Sequence, residues 1–172
     1  MESRATQIAR LVERLKVLVV DDEPSMRKVV RALLQTLGIK EIYEAAEGND
    51  GLNKIRIRAP DLVILDWEMP RPNGPDFMRA LRSPETFPFP DVPVIMLTGY
   101  SERSRVVEAM QLGVHEFLLK PVSSTSLLAR IVSILVHPRP MVRRGDYYGP
   151  APRPPLNRRP DFAVDTTEYC LL

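Results

Sequence analysis

The sequence predicts an α/β protein, a doubly wound five-stranded parallel sheet flanked by five helices, with an irregular C-terminal arm. Three observations carry that prediction. Four short runs, residues 17–20, 62–65, 94–97 and 117–119, are apolar at consecutive positions and too short for helices. Such runs suit strands buried on both faces of a parallel sheet. Amphipathic stretches with helical spacing separate them, and five β-α units in succession wind into a sandwich with right-handed crossovers. Proline then collects at one end: seven of the 17 prolines fall between Pro138 and Pro160.

In chain order, residues 1–14 form a short N-terminal helix with Ile8, Leu11, Val12 and Leu15 on one face. That face serves either a loosely tied end or self-association, so a homodimer is an open expectation. The central domain spans 15–137. After the first strand, Met26, Val29, Val30, Leu33, Leu34 and Leu37 recur at three- and four-residue steps and stop at Gly38, a natural helix C-cap. Residues 42–45 alternate around Glu44 and read as an edge strand. Weaker helices cover 51–58, 76–82 and 102–112, and Leu127, Leu128, Ile131, Val132 and Leu135 mark the last one. Residues 138–172 are the Pro/Arg-rich arm, whose prolines argue against any regular hydrogen-bonded element.

Composition narrows the function. The 172 residues amount to about one domain with something left over. A net charge of +2 does not announce nucleic acid, and the six arginines beyond His137 are offset by Asp146, Asp161, Asp165 and Glu168. The lone Cys170 provides neither a disulfide framework nor zinc spacing. The N-terminal segment lacks the apolar core of a signal peptide, and no apolar run is long enough for a bilayer, so the expectation is a cytoplasmic protein without membrane contact.

In an open parallel sheet, ligands bind beyond the carboxyl ends of the strands. Asp21, Asp22 and Glu23 follow the first strand, Asp66 the third, Thr98 the fourth, and Lys120-Pro121 the fifth. Carboxylates about 5 Å apart repel by roughly 3 kcal/mol per pair at an effective dielectric near 20. Such a cluster calls for a hard divalent cation; Mg²⁺ takes oxygen ligands and commonly bridges carboxylates to phosphate. With no Cys or His nearby, zinc and copper fit poorly. One carboxylate is then left to attack phosphorus and form an acyl phosphate, with Thr98 and Lys120 binding its oxygens.

Residues 17–27, Asp66-Trp-Glu-Met-Pro, Thr98-Gly and Lys120-Pro121 closely resemble the defining motifs of response-regulator receiver domains, over about residues 15–136. The resemblance implies a flavodoxin-like strand order 2-1-3-4-5. It makes Asp66 the phosphoacceptor, with Mg²⁺ held by Asp21, Asp22, Asp66 and the backbone carbonyl of Glu68. It further implies that Lys120 binds phosphate, that Thr98 and Phe117 are the switch pair, and that the Lys120–Pro121 bond is cis. Trp67 covers the site without doing chemistry. Tyr100, two residues past Thr98, stands with Glu68 beside the path of a hydrolytic water and is bulky enough to obstruct it.

The implied function is a stand-alone two-component response regulator. It takes phosphate from a sensor histidine kinase or histidine phosphotransfer protein and signals through contacts with a downstream protein. It is no enzyme beyond weak self-phosphorylation and self-dephosphorylation. A phosphate sink or relay intermediate is the neighbouring alternative. An aspartyl-phosphate phosphatase or phosphotransferase of the haloacid-dehalogenase type is a further one, but it places its nucleophile in Asp-x-Asp after the first strand, whereas here the lone Asp follows the third. Direct DNA binding is not expected, because the residues after His137 cannot build a helix-turn-helix. The arm's Tyr147, Tyr148, Phe162 and Tyr169 gain most if buried, so it either lies along a protein surface with its arginines on acids or remains a disordered tail.

Overall fold

The computed structural model describes residues 3–99 and 103–153. The chain order is α1 (Arg4–Glu13), β1 (Lys16–Val20), α2 (Pro24–Thr36), β2 (Glu41–Ala45), α3 (Gly48–Arg58), β3 (Leu62–Asp66), α4 (Gly74–Leu81), β4 (Val94–Thr98), α5 (Arg103–Gln111), β5 (Glu116–Leu119), α6 (Ser124–Val136), β6 (Met141–Arg144) and β7 (Tyr147–Pro150). β1 to β5 form one parallel sheet in the order β2-β1-β3-β4-β5.

Side-chain alternation along the strands splits the core in two. Leu18, Val20, Val63, Leu65, Val94 and Met96 point to the α3 and α4 side, where they meet Leu52, Ile55, Phe77 and Met78. Val17, Val19, Leu62, Ile64, Ile95 and Leu97 point the other way, onto α1, α2 and α6 through Ile8, Val12, Val30, Leu34 and Ile131. Every residue of β3 and β4 is buried, which explains why those runs lack the alternation of a half-exposed strand.

Two sequence expectations meet corrections. The N-terminal helix is a built part of the core: Ser3 caps it by accepting from the Thr6 N–H at 3.1 Å, and Ile8, Val12 and Leu15 are buried while Leu11 faces out. The arm, irregular at residues 138–140 and 151–153, nevertheless contains a regular element. β6 and β7 form an antiparallel hairpin turned at Gly145, whose φ is +58°. Proline forbids a ladder only where its missing N–H is needed. Here Pro150 ends β7, and Pro140 precedes β6 and accepts from the Ala151 N–H at 2.8 Å. The later aromatics of the arm, Phe162 and Tyr169, lie outside the described residues, as does Tyr100.

The hairpin meets the receiver with arginine on acid, as the docked-arm reading expected; the half-buried Tyr148 engages a carboxylate through its hydroxyl, a contact that reading did not include. Arg143 pairs with Glu85, and the Tyr148 hydroxyl donates to Asp91.

Candidate functional site

The site is assembled from strand ends. β1 delivers Asp21 and Asp22, β3 ends on Asp66, β4 ends on Thr98, and Lys120 directly follows β5. Backbone bonds hold these ends level: the Asp21 N–H donates to Ala45 O at 3.1 Å, Trp67 N–H to Leu97 O at 2.9 Å, and Lys120 N–H to Thr98 O at 2.8 Å. The chain turns sharply after β3, and Gly74 makes this possible. A Cβ there would stand 2.8 Å from the Asp66 carbonyl oxygen and 2.9 Å from Trp67 Cα, so only glycine lets α4 begin against the loop after β3. Asn73 caps that helix by accepting from the Asp76 N–H at 2.9 Å.

Asp21, Asp22 and Asp66 each offer a carboxylate oxygen, and these oxygens lie within 4.8 Å of one another. Asp21 and Asp66 are buried; Asp22 is exposed. The Lys120 ammonium sits between the buried pair, 2.9 Å from Asp66 Oδ1 and 3.4 Å from Asp21 Oδ2. Asp21 also accepts from the Glu23 N–H at 2.8 Å, while Arg27 donates to the Asp21 carbonyl at 2.7 Å.

Burial pushes the Asp66 carboxyl above the ordinary range, against the pull of Lys120, and the same balance raises Asp21. Burial also works against the Lys120 charge, but the hydrogen bond and charge of Asp66 outweigh it and hold the ammonium above its usual value. Two buried acids thus share one ammonium with a third carboxylate beside them, and the deficit of positive charge falls where a metal would sit. An all-oxygen donor set of this kind fits Mg²⁺.

Thr98 is fully buried at the end of β4. Phe117 is half-buried and packs on the α3/α4 side of the sheet. The Lys120–Pro121 bond is cis, as is Arg71–Pro72. Trp67 is buried beneath Arg105, whose guanidinium carbon lies 5.9 Å from the ring centre. Arg105 also pairs with Glu68 at 2.7 Å and so ties α5 to the loop after Asp66. The sequence reading missed Arg105, because nothing local distinguishes it from its neighbours Arg103 and Ser104; only the fold sets it opposite Glu68.

A sheet of this order, with acids on two central strand ends and a lysine beyond the fifth strand, is the architecture of a receiver-type signalling domain. The response regulator receiver domain matches residues 17–132, and the chain belongs to that family, the receiving half of two-component signalling. Chemotaxis protein CheY-3 of Vibrio cholerae is 33% identical over 126 residues, which are 73% of this chain and 95% of the relative. Chemotaxis protein CheY of Pseudomonas aeruginosa is 34% identical over 120 residues, 70% of this chain and 95% of the relative. Among solved structures, CheY4 of Vibrio cholerae superposes with a TM-score of 0.61 at 33% identity, covering 68% of this chain and 95% of that one. A putative response regulator from Chloroflexus aurantiacus gives 0.66 at 27% identity, covering 72% and 98%. α1 and the β6–β7 hairpin lie outside the matched residues. No helix among the described residues is long and apolar enough to cross a membrane.

Proposed function

We propose that the protein is a phosphorylatable response regulator in which Asp66 carries the phosphoryl group. The observation that carries this reading is the placement of the Lys120 ammonium between Asp66 and Asp21 with Asp22 beside them. In the transfer step a carboxylate oxygen of Asp66 attacks phosphorus, the bond from phosphorus to the donor breaks, and its electron pair leaves with the donor. Asp21, Asp22, Asp66 and the Glu68 carbonyl would hold Mg²⁺, which when bound would supply positive charge against the transferred oxygens. Lys120 keeps its hold on the Asp66 side of the site and takes one phosphoryl oxygen, while the Thr98 hydroxyl takes another. Two such contacts supply about the 5.5 kcal/mol that moves a two-state equilibrium from 1:99 to 99:1.

The donor is a sensor histidine kinase or a histidine phosphotransfer protein. The output is a contact with a downstream protein, with Phe117 moving inward as Thr98 is drawn to the phosphoryl group. The receiver spans 15–137, preceded by the 1–14 helix and followed by the 138–172 arm. The protein works in the cytoplasm and is no enzyme in its own right.

The test is incubation with acetyl phosphate and Mg²⁺, read by intact mass. A single phosphoryl group is expected on the wild type, none on Asp66→Asn, and none with EDTA present. One-site labelling that persists in Asp66→Asn overturns the assignment.

A further inference from the structure

The contacts made by the hairpin and the residues flanking it converge on one short stretch of the receiver, the loop between α5 and β5 and the first residue of β5. Arg139 donates Nη2 to the His115 carbonyl. Arg153 pairs with the Glu116 carboxylate, which also accepts from the Ser133 hydroxyl at 3.0 Å and faces Arg130 at 3.5 Å. Gly149 of β7 lies directly against Gly113: a Cβ on Gly149 would stand 2.6 Å from Gly113 Cα, and one on Gly113 would stand 2.6 Å from the Tyr148 carbonyl oxygen. Gly113 has a φ of +82°, so its own turn and the close approach both require glycine. From beneath, the buried Arg82 donates to the Gly113 carbonyl at 3.0 Å and to Pro90 O, and it meets His115 Nδ1 at 3.3 Å. Tyr148 and Arg143 fasten the outer side to Asp91 and Glu85. Two glycines face to face, with an arginine on a backbone carbonyl and another on a buried acid, are the marks of a specific dock. A tail resting anywhere on the surface would need none of them.

β5 is an edge strand, bonded on one side to β4. Glu116 begins it, Phe117 is its second residue, and Lys120 directly follows it. The grip therefore holds the base of the strand whose far end carries the phosphate-binding lysine. Phe117 lies two residues from the clamped His115 carbonyl. A close-packed contact such as Gly113 on Gly149 does not stretch; it is either made or lost.

We propose that the hairpin is a strap on the base of β5, and that its docking is coupled to the state of the Asp66 site. Filling the site moves Phe117 and the α5–β5 loop and loosens the strap; loosening the strap makes the site easier to fill. This rests on the phosphoacceptor reading above. Linkage makes the coupling reciprocal: the factor by which a phosphoryl group weakens docking equals the factor by which undocking tightens the site.

The experiment uses the full chain with Mg²⁺ and beryllofluoride, a phosphoryl mimic that binds without turnover. Amide exchange at residues 141–150 and 112–116 is expected to quicken about tenfold when beryllofluoride is bound, within the usual range of allosteric coupling. The double variant Arg143→Glu, Tyr148→Phe alters only the hairpin and leaves the receiver core intact. It is expected to bind beryllofluoride about tenfold more tightly, and Gly149→Val, which forces the glycines apart, is expected to do the same. If the wild type binds beryllofluoride but exchange in the hairpin stays unchanged and both variants bind as wild type does, the strap is wrong and the site reading stands. A wild type that binds no beryllofluoride with Mg²⁺ overturns the site reading and the strap with it.

Discussion

The two ends of the parallel sheet treat charge in opposite ways. At the carboxyl ends of the strands, three carboxylates gather around a single ammonium, and burial pushes two of them above their ordinary pKa. At the amino ends of β4 and β5, each of these charged groups has its own partners: Arg82 donates to backbone carbonyls, Glu116 faces Arg130 and Arg153, and Glu85 faces Arg143. No buried side-chain polar atom among the described residues lacks a partner. The first end is arranged for something that arrives, the second for staying closed. Uneven charge, not the mere presence of buried charge, separates a ligand site from a structural one.

If that contrast holds, mutations at the two ends move stability in opposite directions. The largest effect is expected at Arg82. Its burial pushes the guanidinium down to about 10, still cationic at neutral pH, and its three hydrogen bonds join α4 to two loops. Arg82→Ala strips buried carbonyls of their donor and leaves a void, at a cost of about 3–5 kcal/mol by urea unfolding. A loss under 1 kcal/mol would mean that this end is not the structural clamp described.

His115 sharpens the same end through pH. Burial first, and then the charges of Arg82 and Arg139, pull its imidazole from 6.5 down to about 3. Nδ1 meets two donors, Arg82 and the Val94 N–H at 3.4 Å, so the neutral ring suits the site. The folded value lies below the unfolded one. This group's contribution is therefore complete above pH 6.5 and is lost as pH falls toward 3, by up to about 1.4 kcal/mol per pH unit. NMR titration of the folded protein should show the His115 ring unprotonated at pH 5; a midpoint near 6.5 would contradict its burial among cations.

At the other end the sign reverses. Asp66→Asn, assayed without metal at neutral pH, removes a charge that burial disfavours, against the pull of Lys120. A gain of about 1 kcal/mol in urea is expected, the usual trade of stability against function. A loss of that size would show that Lys120 already satisfies the acid.

The smallest effect belongs to the Arg105–Glu68 pair, which spans the rim of the site with Glu68 half exposed. Arg105→Ala is expected to change stability by at most about 1 kcal/mol, in line with partly exposed ion pairs. A loss of several kcal/mol in urea would make that bridge a structural clamp like Arg82.

Which parts were legible in the sequence follows from how local their causes are. The strands at 17–20, 62–65 and 94–97 announced themselves because burial on both faces demands unbroken apolar runs. The acids at 21, 22 and 66 and the Thr98 and Lys120 positions fell at run ends, and the winding of an α/β sheet brings such ends together. The hairpin gave no such signal. Its strands are four residues each, with arginines in β6 and a Gly-Pro end to β7, and they read as arm. What makes them strands is the surface beneath them, Gly113, Asp91 and Glu85, which lie 28 or more residues earlier in the chain.

By itself, then, the sequence determined the layer architecture, the acidic trio with its lysine, and the family, because apolar period and strand-end chemistry are properties of short segments. Only the tertiary structure decided that α1 belongs to the core, that Arg82 reaches His115, that Arg105 bridges to Glu68, and that the arm begins as a docked hairpin. Each of those depends on which distant surface a segment meets, and contact energy between segments far apart in the chain leaves no periodic trace in either of them.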